Sequence, residues 1–357
     1  MLEPEAARSA WEIVADEIDR NGPLSFGRYM ALALYHPTHG FYSAGGAGRR
    51  RDFITSPEVG PLFGAVVARA IDGWWDELGR PESFAFVDAG AGPGTLARAI
   101  RKAEPRCLSA LHYVAVETSA AQRAHHPEGV ISTASMPTHL GPAVVVANEL
   151  LDNLPFDLFE FDAELGWREI RIGMSRGVLT EEPGPLGEDD LRRLTEPPDG
   201  RRVRVPIQRE AEAWLRAALD LPQVGRVVVI DYAVGSYPVA DDHQWLRTYD
   251  AHERGHDPLR APGQEDITAD VDLSALQAVR PASEQSTQAA WLRSHGIDEL
   301  VQEGRDRWRA HAAAPDLEAM TMRSRVNEAE ALLDPEGLGR FVVLEWAIGP
   351  SETSVTR

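Results

Sequence analysis

From Val87 to Leu96 the chain reads Val-Asp-Ala-Gly-Ala-Gly-Pro-Gly-Thr-Leu, which spaces Gly90, Gly92 and Gly94 at alternate positions between an apolar run and a helix-forming segment. Glycine lets a chain turn sharply and leaves room for a ligand against the backbone at a helix N-terminus, so the spacing predicts a nucleoside cofactor held here, with Asp88 beside it; a purely structural turn is the competing reading. Val114-Ala-Val-Glu117 ends the next apolar run with an acid, and a carboxylate there can accept both ribose hydroxyls, unless it is only a solvated strand end. The third run closes on Asn148-Glu-Leu-Leu-Asp-Asn-Leu-Pro155. That places Glu149, Asp152 and two carboxamides at the carboxyl edge of an open sheet, where such sheets bind ligands. Carboxylates hold a guanidinium by paired hydrogen bonds and bias its charge away from the attacking nitrogen. Asn148, Glu149 and Asp152 are therefore the catalytic candidates, and an Asn/Asp turn is the alternative.

Spacing also bears on the cofactor. A dinucleotide fingerprint wants glycine or alanine three residues after Gly92, where Thr95 stands, so a nicotinamide oxidoreductase is disfavoured. The G-x-G-x-G form resembles motif I of class I S-adenosylmethionine (SAM) methyltransferases. His252-Glu-Arg-Gly-His256 satisfies the zinc-peptidase string, but that chemistry needs both histidines on one helical face. Gly255 and the following Asp257-Pro258 argue for a loop, so no metal is expected. His125-His126 is expected to be solvated loop.

The elements that must position these residues follow from periodicity. Ala7, Trp11, Val14 and Ile18 fall on one helical face that Asn21-Gly22-Pro23 terminates, and Ser25 caps a second helix through about Tyr35. A longer helix over about 60–78 carries Val66, Ala70, Trp74 and Leu78 on one face. Phe84 to Asp88 is a strand leading through the glycine turn into a helix to about Ala103; strands over 112–117, 143–148 and 226–231 follow, with a late strand at 341–346 and helices around 274–331. Strands alternating with helices predict an α/β, Rossmann-like class I sheet. Residues 156–179 switch to a two-residue period, which reads as an inserted antiparallel region. Residues 183–200 and 235–270 are expected to be loop. The expected organisation is an N-terminal helical extension with a substrate-side loop (1–80), the SAM-binding half (81–156), the β-rich insertion (157–222), the rest of the core (223–349) and a disordered tail (350–357).

Composition narrows the function class. The 357 residues are 43% hydrophobic, enough for a buried core, and 36 Lys plus Arg against 56 Asp plus Glu give a formal charge of −20. No basic field attracts phosphate backbones, so nucleic acid is not expected as a partner. Lys102 is the one lysine, a bias that reads as codon usage. The lone Cys107 suits a reducing compartment. Neither a secretory signal nor an apolar run of roughly 18 residues is present. The expectation is a cytoplasmic protein without membrane insertion.

Several blocks taken in order resemble the MidA-like methyltransferases: Gly22-Pro-Leu-Ser-Phe26, Leu34-Tyr-His-Pro37, Gly40-Phe-Tyr42, Asp52-Phe-Ile-Thr-Ser-Pro-Glu58, the glycine loop, Val116-Glu-Thr-Ser119, Asn148-Glu149, Ile230-Asp-Tyr232 and Asp266-Ile-Thr268. The resemblance covers most of residues 22–345. It implies SAM as cofactor, bound by Gly90, Gly92, Gly94 and Glu117. It implies an acceptor flanked by the 52–58 loop, with Asp52, Thr55, Ser56 and Glu58, and by the 148–155 loop; Asp231 and His252 would join the substrate side. It also implies arginine methylation on a protein partner, as mitochondrial members dimethylate a subunit of respiratory complex I. Departures at Arg51, Leu150, Leu151 and Ala233 keep a second expectation open, a catalytically degenerate assembly scaffold.

Overall fold

Three consecutive buried valines, Val144, Val145 and Val146, mark a strand covered on both faces, and the fold is arranged around it. A computed structural model describes residues 9–43, 55–197, 200–239, 244–250, 253–255, 257–312 and 316–349. The chain divides into two compact units, one of Ile54–Leu150, Arg216–Tyr232 and the chain from Arg280, the other of the first 53 residues, Leu151–Leu215 and Ala233–Val279. Residues 54–80 thus belong with the central sheet and not with the N-terminal helices.

The first unit holds seven strands: β1 (Phe84–Ala89), β2 (Leu111–Val116), β3 (Ile131–Thr133), β4 (Leu140–Asn148), β5 (Pro222–Asp231), β6 (Glu284–Thr287) and β7 (Val342–Ile348). Their order is β6-β7-β5-β4-β1-β2-β3. Strands β1 to β5 are parallel, β7 runs antiparallel to β5, and β6 runs antiparallel to β7. The order reverses direction between β1 and β4, whose ends meet at Ala89 opposite Ala147. Open α/β sheets bind ligands at the carboxyl edge of such a switch point. At the opposite end, a Cβ on Gly225 (φ +148°) would lie 1.7 Å from the Ala143 carbonyl oxygen, so β5 can pair with β4 only through glycine there.

Helix α1 (Pro61–Glu77) buries Leu62, Phe63, Val66, Ala70 and Trp74 in the core that also holds Phe84, Phe86 and Trp291. Leu78, just past its end, is only partly buried against that core. Helix α2 (Thr95–Ala103) follows the glycine turn, and α3 (Gln288–Ser294), α4 (Ile297–His311) and α5 (Leu317–Leu332) complete the cover. Strand β6 was not foreseen. Its residues, Glu-Gln-Ser-Thr, are polar because it lies at a sheet edge, joined by backbone pairing to Val342–Glu345.

In the second unit, helix Ala10–Asn21 starts at a reciprocal Ser9/Glu12 cap and ends at Gly22 (φ 77°); Ser25 caps helix Phe26–Tyr35. The buried stripe of the first helix is Ala10, Val14 and Ile18, whereas Trp11, expected on that face, is 37% exposed. Ala7 lies outside the described residues. The antiparallel insertion is present: Gly166–Ser175 pairs with Leu24–Ser25, Asp157–Asp162 and Val178–Gly184, and Val203–Ile207 flanks Asp157–Asp162. Two expected loops contain regular elements among their described residues. The first contains the end of strand Val178–Gly184 and helix Glu188–Arg193, and the second contains a three-stranded sheet of Leu246–Asp250, Glu253–Gly255 and Asp266–Ala269. Their acidic and Gly/Pro-rich composition masked short strands whose order comes from pairing. The tail expected to be disordered from 350 lies outside the described residues. No helix among the described residues is long and apolar enough to cross a membrane.

Candidate active site

The glycine turn leaves β1 with positive φ at Gly90 (76°), Gly92 (52°) and Gly94 (77°), and the last of these starts α2 without a side-chain cap. The backbone N–H groups of Gly90 and Ala91 donate to the Val116 carbonyl at 2.9 and 3.0 Å. A Cβ on Gly92 would meet no atom within 4 Å, so the backbone faces open space there. Glu117 closes the turn from β2: one carboxylate oxygen accepts from the Gly92 N–H at 3.0 Å and the other from the Ser119 N–H at 2.7 Å. The oxygen facing Ser119 also receives the Thr118 hydroxyl at 3.5 Å, and the oxygen facing Gly92 can accept a second bond, which keeps an expected hydroxyl contact feasible. His126, expected in solvated loop, is instead part of this support. Its Nε2 lies 2.9 Å from the Gly92 carbonyl, to which it must donate, leaving Nδ1 to accept from the Ser132 hydroxyl at 2.8 Å.

Asp88 is 3% exposed and accepts from the Tyr113 hydroxyl at 2.6 Å. Burial pushes its carboxyl up to about 6; the Tyr113 bond opposes that rise and the Glu117 charge adds to it. Tyr113 stands on the neighbouring strand, β2.

At the carboxyl end of β4, Glu149 has φ 53°, a left-handed conformation uncommon for a non-glycine residue. Its N–H donates to the Ile230 carbonyl at 2.8 Å and the next N–H, of Leu150, donates to Asp231 at 3.2 Å. Oε1 of Glu149 accepts twice, from the Ser56 N–H and from Asn148 Nδ2, both at 2.9 Å. Leu150 reaches back to the glycine turn: a Cβ on Gly90 would lie 3.1 Å from Leu150 Cδ1. Asn148, Glu149, Ser56 and the glycine turn thus lie together at the switch point.

Ser56 opens a one-turn helix, Ser56–Val59, with Thr55 at its N-cap. Its hydroxyl donates to the Gln288 carboxamide at 3.0 Å. Farther along, Glu328 of α5 accepts from the Leu62 N–H at 2.8 Å. Gln288 and Glu328 were missed because each meets its partner more than 200 residues away, with no periodic signal. Glu58 is buried at 8% exposure. Asp231, expected on the substrate side, lies at the β4–β5 edge, where its two oxygens accept from the backbone N–H groups of Leu150 and Tyr232.

Asp152 belongs to the other unit. There it accepts from the Thr268 hydroxyl at 2.6 Å, while Asn153 Nδ2 and the Tyr42 hydroxyl both donate to Asp266 at 3.0 Å. Burial raises both carboxyls above the usual range; Thr268 and Arg247 oppose this at Asp152, and the Asp152 charge adds to it at Asp266. Asp52 and His252 lie outside the described residues. Glu253–Gly255 is a strand, which removes the helix the zinc string would need. Among the described residues no cluster of His, Cys, Asp or Glu could hold a metal.

A family model described as "Putative S-adenosyl-L-methionine-dependent methyltransferase" matches residues 66–290, more than half of the chain. The chain belongs to this family. It is a SAM-dependent methyltransferase with a class I fold. It is 27% identical over 346 residues to the zebrafish (Danio rerio) mitochondrial protein arginine methyltransferase NDUFAF7, covering 83% of this chain and 78% of that one. Against the Homo sapiens protein of the same name it is 26% identical over 336 residues, covering 79% and 72%. A crystal structure of a "likely methyl transferase" from Burkholderia thailandensis, bound to S-adenosyl-homocysteine (SAH), superposes with a TM-score of 0.81 at 26% identity, covering 95% of this chain and 91% of that one.

The methyltransferase's own residues fit the cofactor. An open backbone at Gly92, an uncapped helix N-terminus behind Gly94 and a carboxylate at Glu117 form a cradle that a side chain at Gly92 would fill. Gly90, Gly92, Gly94 and Glu117 would hold SAM; His126 is bonded to the Gly92 carbonyl, and Asp88 is bonded to Tyr113.

Proposed function

We propose that this enzyme transfers a methyl group from SAM to a side-chain nitrogen of arginine in a protein. The observation that carries the reading is the carboxylate of Glu149, fixed beside Asn148 at the carboxyl end of β4 and bonded to the Ser56 segment. The relatives named as protein arginine methyltransferases support it. SAM, when bound, supplies a methyl already electrophilic on its sulfonium sulfur. What remains for the protein is alignment and exclusion of water. The glycine turn sets where the cofactor lies, and the Ser56 segment and the β4 end, tied together through Glu149, bound the acceptor side. A subunit of respiratory complex I is the proposed acceptor class and the cytoplasm the proposed location, checked by fractionation. A catalytically silent scaffold is not favoured by the family match or by the cradle.

The test is to incubate the purified enzyme with methyl-labelled SAM and a lysate of the source organism lacking this gene, then map the label by mass spectrometry. Label on arginine of one or a few proteins is expected. Label confined to lysine, glutamine or small molecules would refute the arginine reading.

A further inference from the structure

Asn148 carries an unusual pair of facts. Its Nδ2 is committed to Glu149 Oε1 at 2.9 Å, while its Oδ1, screened from bulk water, has no hydrogen-bond partner among the described residues. A carboxylate only accepts, so the carboxamide must turn its nitrogen to Glu149, and the oxygen is thereby set facing the other way. Leaving a buried acceptor unpaired is costly, and a fold keeps such a group where a ligand supplies the donor. The strand places it well for that: Asn148 is the last residue of β4, one position beyond the pair Ala89–Ala147 that ends beside the glycine turn.

We propose that Asn148 Oδ1 accepts an N–H of the methyl-accepting guanidinium, and that Glu149 is a positioning residue that fixes the carboxamide's orientation through Oε1. This deepens the arginine reading and rests on it. A guanidinium offers only donors, so an oxygen turned to it binds and a flipped amide repels. A single oxygen of Glu149 receives both the Ser56 N–H and Asn148 Nδ2, and a glutamine in its place presents an equivalent carbonyl oxygen to both. The role assigned to Glu149 is therefore one of hydrogen-bond acceptance and does not require its charge.

The experiment compares Glu149→Gln, Glu149→Leu and Asn148→Ala on three readouts. SAH binding is measured by calorimetry, the Asn148 side-chain amide protons by NMR in the SAH complex, and kcat/KM on the protein labelled in the lysate assay. Glu149→Leu should lose the slow-exchanging Asn148 amide proton and at least a hundredfold in kcat/KM, with Glu149→Gln restoring the proton and most of the rate. Asn148→Ala should lose a similar factor while binding SAH within threefold of the parent; it leaves the Ser56–Glu149 bond intact and so serves if Glu149→Leu does not fold. If Glu149→Gln falls as far as Glu149→Leu, the charge is what matters and the positioning role is wrong. Full activity of Asn148→Ala overturns the acceptor role, and so does loss of its activity through lost SAH affinity. The NMR readout needs no acceptor, so failure of the arginine reading leaves the Glu149–Asn148 orientation separately testable.

Discussion

Asp88 lies one residue before the end of β1, and its ionisation should make the fold less stable as pH rises. An ordinary aspartate titrates near ~3.9. Burial lifts Asp88 to about 6, against the pull of the Tyr113 bond. Between about pH 4 and 6 the folded chain keeps a proton that the unfolded chain has released, so stability declines through that window and stays lowered above it. The full difference is roughly 3 kcal/mol, of which about 2 kcal/mol falls between ~pH 4.5 and ~pH 8. Other carboxyls titrate over the same range, Asp152 and Asp266 in the same direction, so the comparison must be with Asp88→Asn. Asparagine keeps an acceptor for the Tyr113 hydroxyl and cannot ionise. Urea unfolding should show the advantage of Asp88→Asn over the parent growing by about 2 kcal/mol from ~pH 4.5 to ~pH 8. Tyr113→Phe supplies the opposite sign. Losing a 2.6 Å bond to a charged carboxylate should cost about 1.5–3 kcal/mol at ~pH 8 and about 0.5–1.5 kcal/mol at ~pH 4.5, where the carboxyl is neutral. A stability gap between Asp88→Asn and the parent that stays flat with pH would refute the reasoning, because Asp88 would then titrate as an exposed group.

Three further perturbations follow from single contacts. Gly225→Ala drives a Cβ to 1.7 Å from a backbone oxygen of β4, which no rotamer change relieves, so more than about 3 kcal/mol should be lost, seen as a lowered urea midpoint or as insoluble protein. At Gly90, φ 76° adds roughly 1–2 kcal/mol of left-handed strain to any other residue. Since its Cβ would also press Leu150 Cδ1 at 3.1 Å, Gly90→Ala should weaken SAH binding about tenfold by calorimetry; unaltered affinity would detach the turn from the cofactor. Glu328→Ala strands the Leu62 N–H at the start of α1 and should cost about 1–3 kcal/mol in urea unfolding, with Glu328→Gln, which retains an acceptor, costing less.

The parts of the site visible in the sequence were those whose cause is local. The glycines of 90–94 announce a backbone conformation, and the valines of β4 announce a strand buried on both faces. Asn148 and Glu149 could be placed because they end such a strand. What stayed hidden is non-local. Ser56 meets Gln288 and Leu62 meets Glu328 through folding alone, and β6 is held by pairing between polar residues that show no alternation. The long-range partners were hidden too: Asp152, three residues after Glu149, accepts from the Thr268 hydroxyl, and Asp231 accepts from the backbone N–H groups of Leu150 and Tyr232. The Trp11 misplacement has a similar origin, since a stripe through Ala10, Val14 and Ile18 leaves the larger side chain at its border.

The backbone at the switch point says why a glutamate stands at the end of β4. Gly90, Gly92, Gly94 and Glu149 all take positive φ at one edge of the sheet, and the three glycines do so without a Cβ penalty. Glycine would suit position 149 as well; a side chain there costs about 1–2 kcal/mol in backbone strain. Strain of this kind persists only where surrounding bonds over-determine it. Here the N–H of Glu149 is held by Ile230, the N–H of Leu150 by Asp231, and Oε1 by Ser56 and Asn148. Those bonds do more than offset the strain. They aim the Glu149 side chain so that one oxygen ties the segment opening at Ser56 to the end of β4 and sets the Asn148 carboxamide. The left-handed turn is thus the geometric condition under which one side chain serves both, and a glycine there would relax the backbone while releasing the Ser56 N–H and the Asn148 carboxamide.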